Sequence, residues 1–209
     1  MSFITFEGPE GAGKSTQIYA LAEALREADH DVTVTREPGG STEAEALREL
    51  LLDKTRTWSP LAEALLMNAA RDSHIRTRIN PALEAGKIVL CDRFFDSTRA
   101  YQHMVGEETL AGVHNAVVSR MPDLTILFDL PVEVGLERAA SRGAADRFEG
   151  KGTAYHEGVR AAFLALAEAE PERITVIDAT QPIEDVTAVV LKAVHERLPG
   201  LLSPGHGTA

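Results

Sequence analysis

The sequence predicts an α/β domain in which helices cover both faces of one five-stranded parallel sheet, with a short lid over about 139–154. Three observations predict it. Five short apolar runs alternate with stretches of helical period, and a glycine-rich loop joins the first run to its helix. The 209 residues, 44% of them apolar, suit one compact core.

The runs are Phe3–Glu7, Asp31–Arg36, Lys87–Asp92, Leu124–Asp129 and Ile174–Asp178. Each is mostly continuous in its apolar character, as expected of parallel strands buried on both faces. Their alternation with helices argues for βαβ units wound on both sides of a sheet. After the glycine loop, Ile18, Leu21, Ala22 and Leu25 mark one buried helix face. Ser59-Pro60 supplies an N-cap and a proline at the first helical position, opening a helix through about Arg78. Leu110, Val113, Val117 and Met121 form a stripe that serves as core or as a subunit contact, ended by Pro122. Further helices fit Val132–Arg142, Tyr155–Glu168 and Ile183–Leu198. Residues 1–198 read as a single domain, and 199–209 as a disordered tail.

Composition excludes several classes. Acidic residues outnumber basic ones 32 to 21, a net charge of −11, with no Lys/Arg run. A nucleic-acid binder needs a basic face, so the chain is not expected to bind one. No apolar run approaches the roughly 20 residues of a membrane span, and the N-terminus lacks a signal peptide's basic region. The single cysteine, Cys91, sits in an apolar strand and reads as a buried, inert thiol. None of the seven histidines stands at zinc-ligand spacing. A cytoplasmic protein that binds small molecules is the expectation.

Gly8-Pro9-Glu10-Gly11-Ala12-Gly13-Lys14-Ser15 matches G-x-x-x-x-G-K-[ST], with a strand before it and an amphipathic helix after it. Such a loop curls so that successive N–H groups face one anion, aided by the helix N-terminus. Lys14 can reach the β- and γ-phosphates, and the Ser15 hydroxyl can ligate Mg²⁺. This is the phosphate loop of a P-loop NTPase fold, and it implies nucleoside triphosphate binding without naming a reaction.

A slow GTPase switch would carry D-x-x-G and N-K-x-D, and neither occurs. A kinase has more support. Asp92-Arg93-Phe94 ends the third strand, where a carboxylate can orient Mg²⁺ through water and an arginine can grip phosphoryl oxygens. Arg138 and Arg142 share a helix face beside Gly143, and Arg147 follows. Arginines beside a movable segment suit a lid over ATP, although from spacing alone a solvated basic face paired with nearby glutamates is the better fit.

Several segments together resemble bacterial thymidylate kinases: Phe6 through Thr16, Thr35-Arg36-Glu37-Pro38-Gly39-Gly40-Ser41, Asp92-Arg93-Phe94, Ser97-Thr98-Arg99-Ala100-Tyr101-Gln102 and Ile177-Asp178-Ala179-Thr180-Gln181-Pro182. The resemblance covers about Ser2 to Leu198. It implies a homodimer that phosphorylates dTMP to dTDP with ATP and Mg²⁺. Gly8 to Thr16 would hold the ATP phosphates, and Ser15 and Asp92 the metal. Arg93 would bridge acceptor and γ-phosphates, Arg48 would hold the dTMP phosphate, and Arg71 would bond the thymine ring. Arg36 and Pro38 would belong to the acceptor site, with a cis bond before Pro38. Thr98 and Gln102 would line the base pocket, Tyr101 would crowd the 2′ position, and Glu10 would face the sugar and metal. Arg138 would pack on adenine, with Asp178-Ala179 at its other edge.

The family has two catalytic layouts, one with an arginine inside the phosphate loop. Gly11 occupies that position here, so the resemblance assigns the charge to the lid, with Arg142 and Arg147 as catalytic residues beside Lys14 and Arg93. The chain departs from the family at Met67, where a phenylalanine usually stacks on thymine. Methionine covers a base without offering a flat face. Either a neighbour such as Phe94 compensates, or acceptor affinity falls, or the pocket admits another acceptor such as dUMP or UMP.

Overall fold

In the computed structural model, residues 1–141, 148 and 150–202 are described. The strands are β1 (Phe3–Glu7), β2 (Val32–Arg36), β3 (Ile88–Asp92), β4 (Leu124–Asp129) and β5 (Ile174–Asp178). All pair in parallel, in the order β2-β3-β1-β4-β5. Outgoing connections from β1 and β4 diverge to opposite sides, which opens a crevice at the carboxyl end of β1. Register places Phe6 opposite Asp92, Glu7 opposite Leu127 and Asp129 opposite Asp178. Charged residues that end the strands therefore meet along one edge.

The helices are α1 (Lys14–Glu27), α2 (Thr42–Leu52), α3 (Pro60–His74), α4 (Asn80–Glu84), α5 (Phe95–Tyr101), α6 (Glu107–Val117), α7 (Val132–Ala140), α8 (Thr153–Ala169) and α9 (Ile183–Arg197). Alternate β1 residues divide the core. Ile4 and Phe6 pack with Ile18, Leu21, Leu25 and Val190 beneath α1 and α9. Phe3 packs with Ile75, Ile79, Val89 and Phe94 on the opposite face. A third cluster joins Tyr101 and Leu127 to Val159 and Phe163 of α8. Glu7 shares the Phe3 face by the two-residue period of a strand, which aims it toward α5.

The expected long helix to about Arg78 is divided. Its α-helical part ends at His74, a π-helical turn spans Ile75–Ile79, and α4 follows. Pro81 has no N–H for the carbonyl four residues back, so an unbroken α-ladder cannot form there. The Leu110–Met121 stripe is also shorter than expected. α6 stops at Val117, its buried positions are Leu110 and His114, and Met121 lies exposed beyond it. Cys91 is buried as expected, its thiol donating to the Arg93 carbonyl at 3.1 Å.

Candidate active site

The phosphate loop leaves β1 at Gly8 and enters α1 at Lys14. Gly8 has φ +137°, and a Cβ there would lie 2.4 Å from the Phe128 carbonyl oxygen. Gly11 has φ +73°, with its would-be Cβ 2.0 Å from the Gly135 carbonyl oxygen of α7. Both positions therefore require glycine. The buried Lys14 ammonium donates to the Gly8 and Pro9 carbonyls at 2.9 and 2.8 Å. Burial first, and then the Arg93 charge, lower its pKa to about 8.

Ser15 Oγ donates to Asp92 Oδ2 at 3.1 Å, joining α1 to the end of β3. Asp92 Oδ1 is buried without a hydrogen-bond partner among the described residues. A hydroxyl and a carboxylate with an unused oxygen are hard donors of the kind Mg²⁺ takes alongside water and phosphate. The residues fit that ion.

Arg93 follows at φ +65°, a left-handed conformation rare outside glycine. Its guanidinium donates to Glu10 Oε1 at 2.7 Å, the Gly8 carbonyl at 3.1 Å and Ser97 Oγ at 3.2 Å. It also lies 4.9 Å from the centre of the Tyr101 ring, whose hydroxyl donates to Glu10 Oε1 at 2.9 Å. Burial alone would raise the Glu10 pKa, but the Arg93 and Lys14 charges outweigh it and hold the carboxyl at about 2.

Beside this cluster opens a cavity of about 190 Å³. Its wall brings together Glu10, Arg36, Pro38, Arg48, Met67, Arg71, Arg93, Thr98, Tyr101 and Gln102, all named from the sequence as acceptor-site residues. Arg71, 2% exposed, donates from Nε to Glu37 at 2.8 Å, from Nη1 to Asn68 at 2.9 Å, and from Nη2 to the Phe94 carbonyl and Thr98 Oγ1 at 3.1 and 3.0 Å. Glu37 Oε1 meets His74 Nδ1 at 3.1 Å. Arg48 donates to the Pro38 carbonyl at 2.7 Å, and the Glu37–Pro38 bond is cis. Arg36 forms an exposed pair with Glu45 at 3.0 Å. Gln102 Nε2 donates to Glu63 at 2.6 Å, while Gln102 Oε1 is buried without a hydrogen-bond partner among the described residues.

Arg138 Nη1 donates to the Ala179 carbonyl at 2.8 Å, so α7 and the β5 end meet where the resemblance puts adenine. The neighbouring Asp178 is exposed and accepts from Thr180 N–H and Oγ and from Gln181. Ala12 is buried in the loop, and Thr16 is exposed on α1. Arg142, Arg147 and the rest of 142–147 and 149 in the expected lid lie outside the described residues, as does 203–209 of the expected tail, whose 199–202 part is described, with Leu202 buried in the core.

Sequence reasoning assigned no role to Glu7, Glu37, Leu52, Ser97 or Phe148. Glu37, Leu52, Ser97 and Phe148 line the cavity. Glu7 is 1% exposed behind it, its pKa raised to about 7 by burial and then by the Asp96 charge. An acid ending an apolar strand beside the phosphate loop was the available signal for Glu7. Phe94, the neighbour offered as one way to compensate Met67, does line the cavity, but its ring is fully buried against Phe3, Phe95 and Arg71. Phe148 is a third aromatic there, edge-on to Tyr101 at 6.0 Å.

A sequence profile of the family described as Thymidylate kinase matches residues 6–190, which is most of the chain. The chain belongs to the thymidylate kinase family. It is thus a transferase of the nucleoside monophosphate kinase class, with ATP as phosphoryl donor. It is 54% identical over 201 residues to a thymidylate kinase of Caulobacter vibrioides, covering 94% of this chain and 97% of that protein. It is 50% identical over 210 residues to one of Pseudomonas putida, covering 98% and 100%. A crystal structure of thymidylate kinase from Ehrlichia chaffeensis superposes with a TM-score of 0.76 at 34% identity, covering 93% of this chain and 98% of that one. Among the described residues, no helix is long and apolar enough to cross a membrane.

Proposed function

We propose that this thymidylate kinase homologue transfers the γ-phosphoryl group of ATP to dTMP in the cytoplasm. The observation that carries the reading is the cavity that presents Arg48, Arg71 and Arg93 beside the phosphate loop. Lys14 and the loop N–H groups hold the ATP phosphates, and Arg138 supports adenine against Ala179. Ser15 and Asp92 would hold Mg²⁺, which when bound would offset phosphate charge. Arg48 takes the dTMP phosphate, and Arg93 spans acceptor and γ-phosphoryl oxygens. The acceptor phosphate is already anionic, so transfer needs alignment and charge more than a base. Residues 1–198 form the catalytic domain, and Arg142 and Arg147 of the lid over about 139–154 complete the charge.

Arg71 directs four N–H bonds at protein acceptors and has one of its five left for the base. Gln102 cannot be flipped without losing its bond to Glu63, so its unpartnered oxygen calls for a ligand N–H. Thymine and uracil carry that N–H at ring position 3, and cytosine does not. Met67 at the wall favours a second reading in which dUMP or UMP also serves. A homodimer is also proposed. α3 leaves Leu61 and Leu65 exposed at 43% and 49%, and α2 leaves Leu50 exposed at 37%.

The test is ATP consumption with Mg²⁺ across dTMP, dUMP, UMP, CMP, GMP and AMP. Turnover best with dTMP supports the reading, and a different preferred acceptor moves the substrate. Slow hydrolysis indifferent to acceptor would support a nucleotide-gated switch instead. Arg93→Ala is expected to lower kcat/KM by about 10³-fold, the scale of removing an aligned charge donor. Near-normal turnover in a folded Arg93→Ala protein would refute its role.

A further inference from the structure

Glu7 is used by none of the steps above, yet its two oxygens are committed to the turn that carries Arg93. Oε1 accepts the Phe94 N–H at 2.8 Å and the Ser97 N–H at 3.2 Å. Oε2 accepts the Ser97 hydroxyl at 2.5 Å. That hydroxyl has one proton, and with it directed to Glu7 its oxygen is left to accept from Arg93 Nη1 at 3.2 Å. The result is a directed relay, Arg93 to Ser97 to Glu7, with every donor facing an acceptor.

We infer that Glu7 is a positioning residue for phosphoryl transfer, holding Arg93 in its reactive placement through the Ser97 hydroxyl. The inference rests on the dTMP kinase reading and adds to it a residue that touches neither nucleotide. Arg93 needs such support. Its backbone occupies a left-handed conformation, and its side chain is shared among Gly8, Ser97 and Glu10. A phosphate that competes with Glu10 for the guanidinium leaves the Ser97 and Gly8 contacts to fix it.

A carboxylate is otherwise a poor choice for this place. Glu7 is 1% exposed, and burial and the nearby Asp96 charge both oppose its ionisation, while Arg93 and its hydrogen bonds favour it. A stabilising role alone would be served by a neutral acceptor. An amide cannot run the relay, however. A glutamine in place of Glu7 would keep its oxygen on the two backbone N–H groups and turn its NH₂ toward Ser97. The Ser97 hydroxyl must then accept from that amide, and its proton turns toward a guanidinium that offers no acceptor.

The experiment compares Glu7→Gln, Ser97→Ala and Arg93→Lys, singly and in pairs, with steady-state kinetics and thermal melting at pH 8. In Glu7→Gln, kcat is expected to fall at least tenfold, with KM for ATP and dTMP within about twofold and Tm unchanged or higher. Ser97→Ala, which removes the relay without touching the Glu7 backbone contacts, should show the same split. In an Arg93→Lys background, Glu7→Gln should change kcat by less than twofold. The inference is overturned if Glu7→Gln and Ser97→Ala retain wild-type kcat, or if their losses simply multiply with that of Arg93→Lys. It is also overturned if kcat falls only in step with Tm, the mark of a structural role. Absence of dTMP-dependent turnover in the wild-type enzyme would instead defeat the kinase reading itself.

Discussion

Replacing Glu37 with Gln should both destabilise the protein and loosen its acceptor site. The Glu37 and Arg71 side chains are 4% and 2% exposed, and the Arg71 Nε to Glu37 Oε2 bond is 2.8 Å. Removing one partner of such a pair leaves a buried charge without compensation, at a cost of about 3–5 kcal/mol. Glutamine can still accept one bond from Arg71, so the lower end, about 3 kcal/mol, is expected. In a chain of 209 residues that cost lowers Tm by roughly 6–12 °C, and the variant stays folded at 25 °C. Arg71 also reaches Thr98 in the cavity wall, so its displacement should raise KM for dTMP about tenfold. KM for ATP should stay within about twofold, because Lys14 and Ser15 lie on α1 and bond to the phosphate loop and Asp92 instead. Differential scanning fluorimetry and steady-state kinetics check both effects. A Tm within 2 °C of wild type with unchanged KM for dTMP would show that the Glu37–Arg71 pair neither supports the fold nor sets the pocket.

Other expectations follow from the same geometry. Met67→Phe restores a flat face at the cavity and should lower KM for dTMP about fivefold, some 1 kcal/mol of the stacking scale; an unchanged or higher KM would mean the wall has no room for the ring. In Gly135→Ala, the new Cβ would fall 2.5 Å from the Glu10 carbonyl oxygen, so the phosphate loop must shift. A stability loss of about 1–3 kcal/mol and a clear fall in kcat should appear in melting and turnover measurements. His114 is pushed down to about 3, chiefly by burial and then by the Arg71 and Arg99 charges. Between pH 6.5 and 3 the unfolded chain binds the proton that the folded one refuses, so this residue's contribution is lost as pH falls, at most about 1.4 kcal/mol per unit. Urea unfolding at pH 7 and pH 5 should show a shallower acid loss in His114→Gln than in wild type.

Legibility in the sequence followed how far each feature depends on local pattern. The five strands were readable to within a residue at each end because β1, β3 and β4 are buried on both faces and the half-exposed edge strands β2 and β5 are still rich in β-branched residues. α5 was not, since seven residues make about two turns and cannot display a helical period. α3 inverts the usual rule. Glu63, Asn68, Arg71 and His74 are buried, Glu63 bonded to Gln102, Asn68 to Arg71, and Arg71 and His74 to Glu37, while Leu61 and Leu65 face out. A hydrophobicity pattern assigns those faces backwards, and only the family resemblance pointed to Arg71. Gly11 was legible as the missing loop arginine. Its steric cause, the Gly135 backbone 2.0 Å from the would-be Cβ, is a contact between residues far apart in the chain that no local pattern records.

The acids around the cavity explain how a chain of net charge −11 can present a phosphate site. Arg36 is held by Glu45, Arg71 by Glu37 and Arg93 by Glu10. These pairs are unlike in depth. Arg71 and Glu37 are sealed from solvent, whereas the Arg36 and Glu45 side chains are 53% and 41% exposed and Arg93 and Glu10 are each 17% exposed. A nucleotide phosphate can therefore compete for Arg36 and Arg93 but not for Arg71, which is left to read a neutral ring. An arginine already seated by an acid also loses less rotamer freedom on binding, out of a side-chain cost of up to about 2 kcal/mol. On the proposed reading, the carboxylates hold the arginines where the phosphate will need them, and the depth of each pair separates phosphate binding from base recognition.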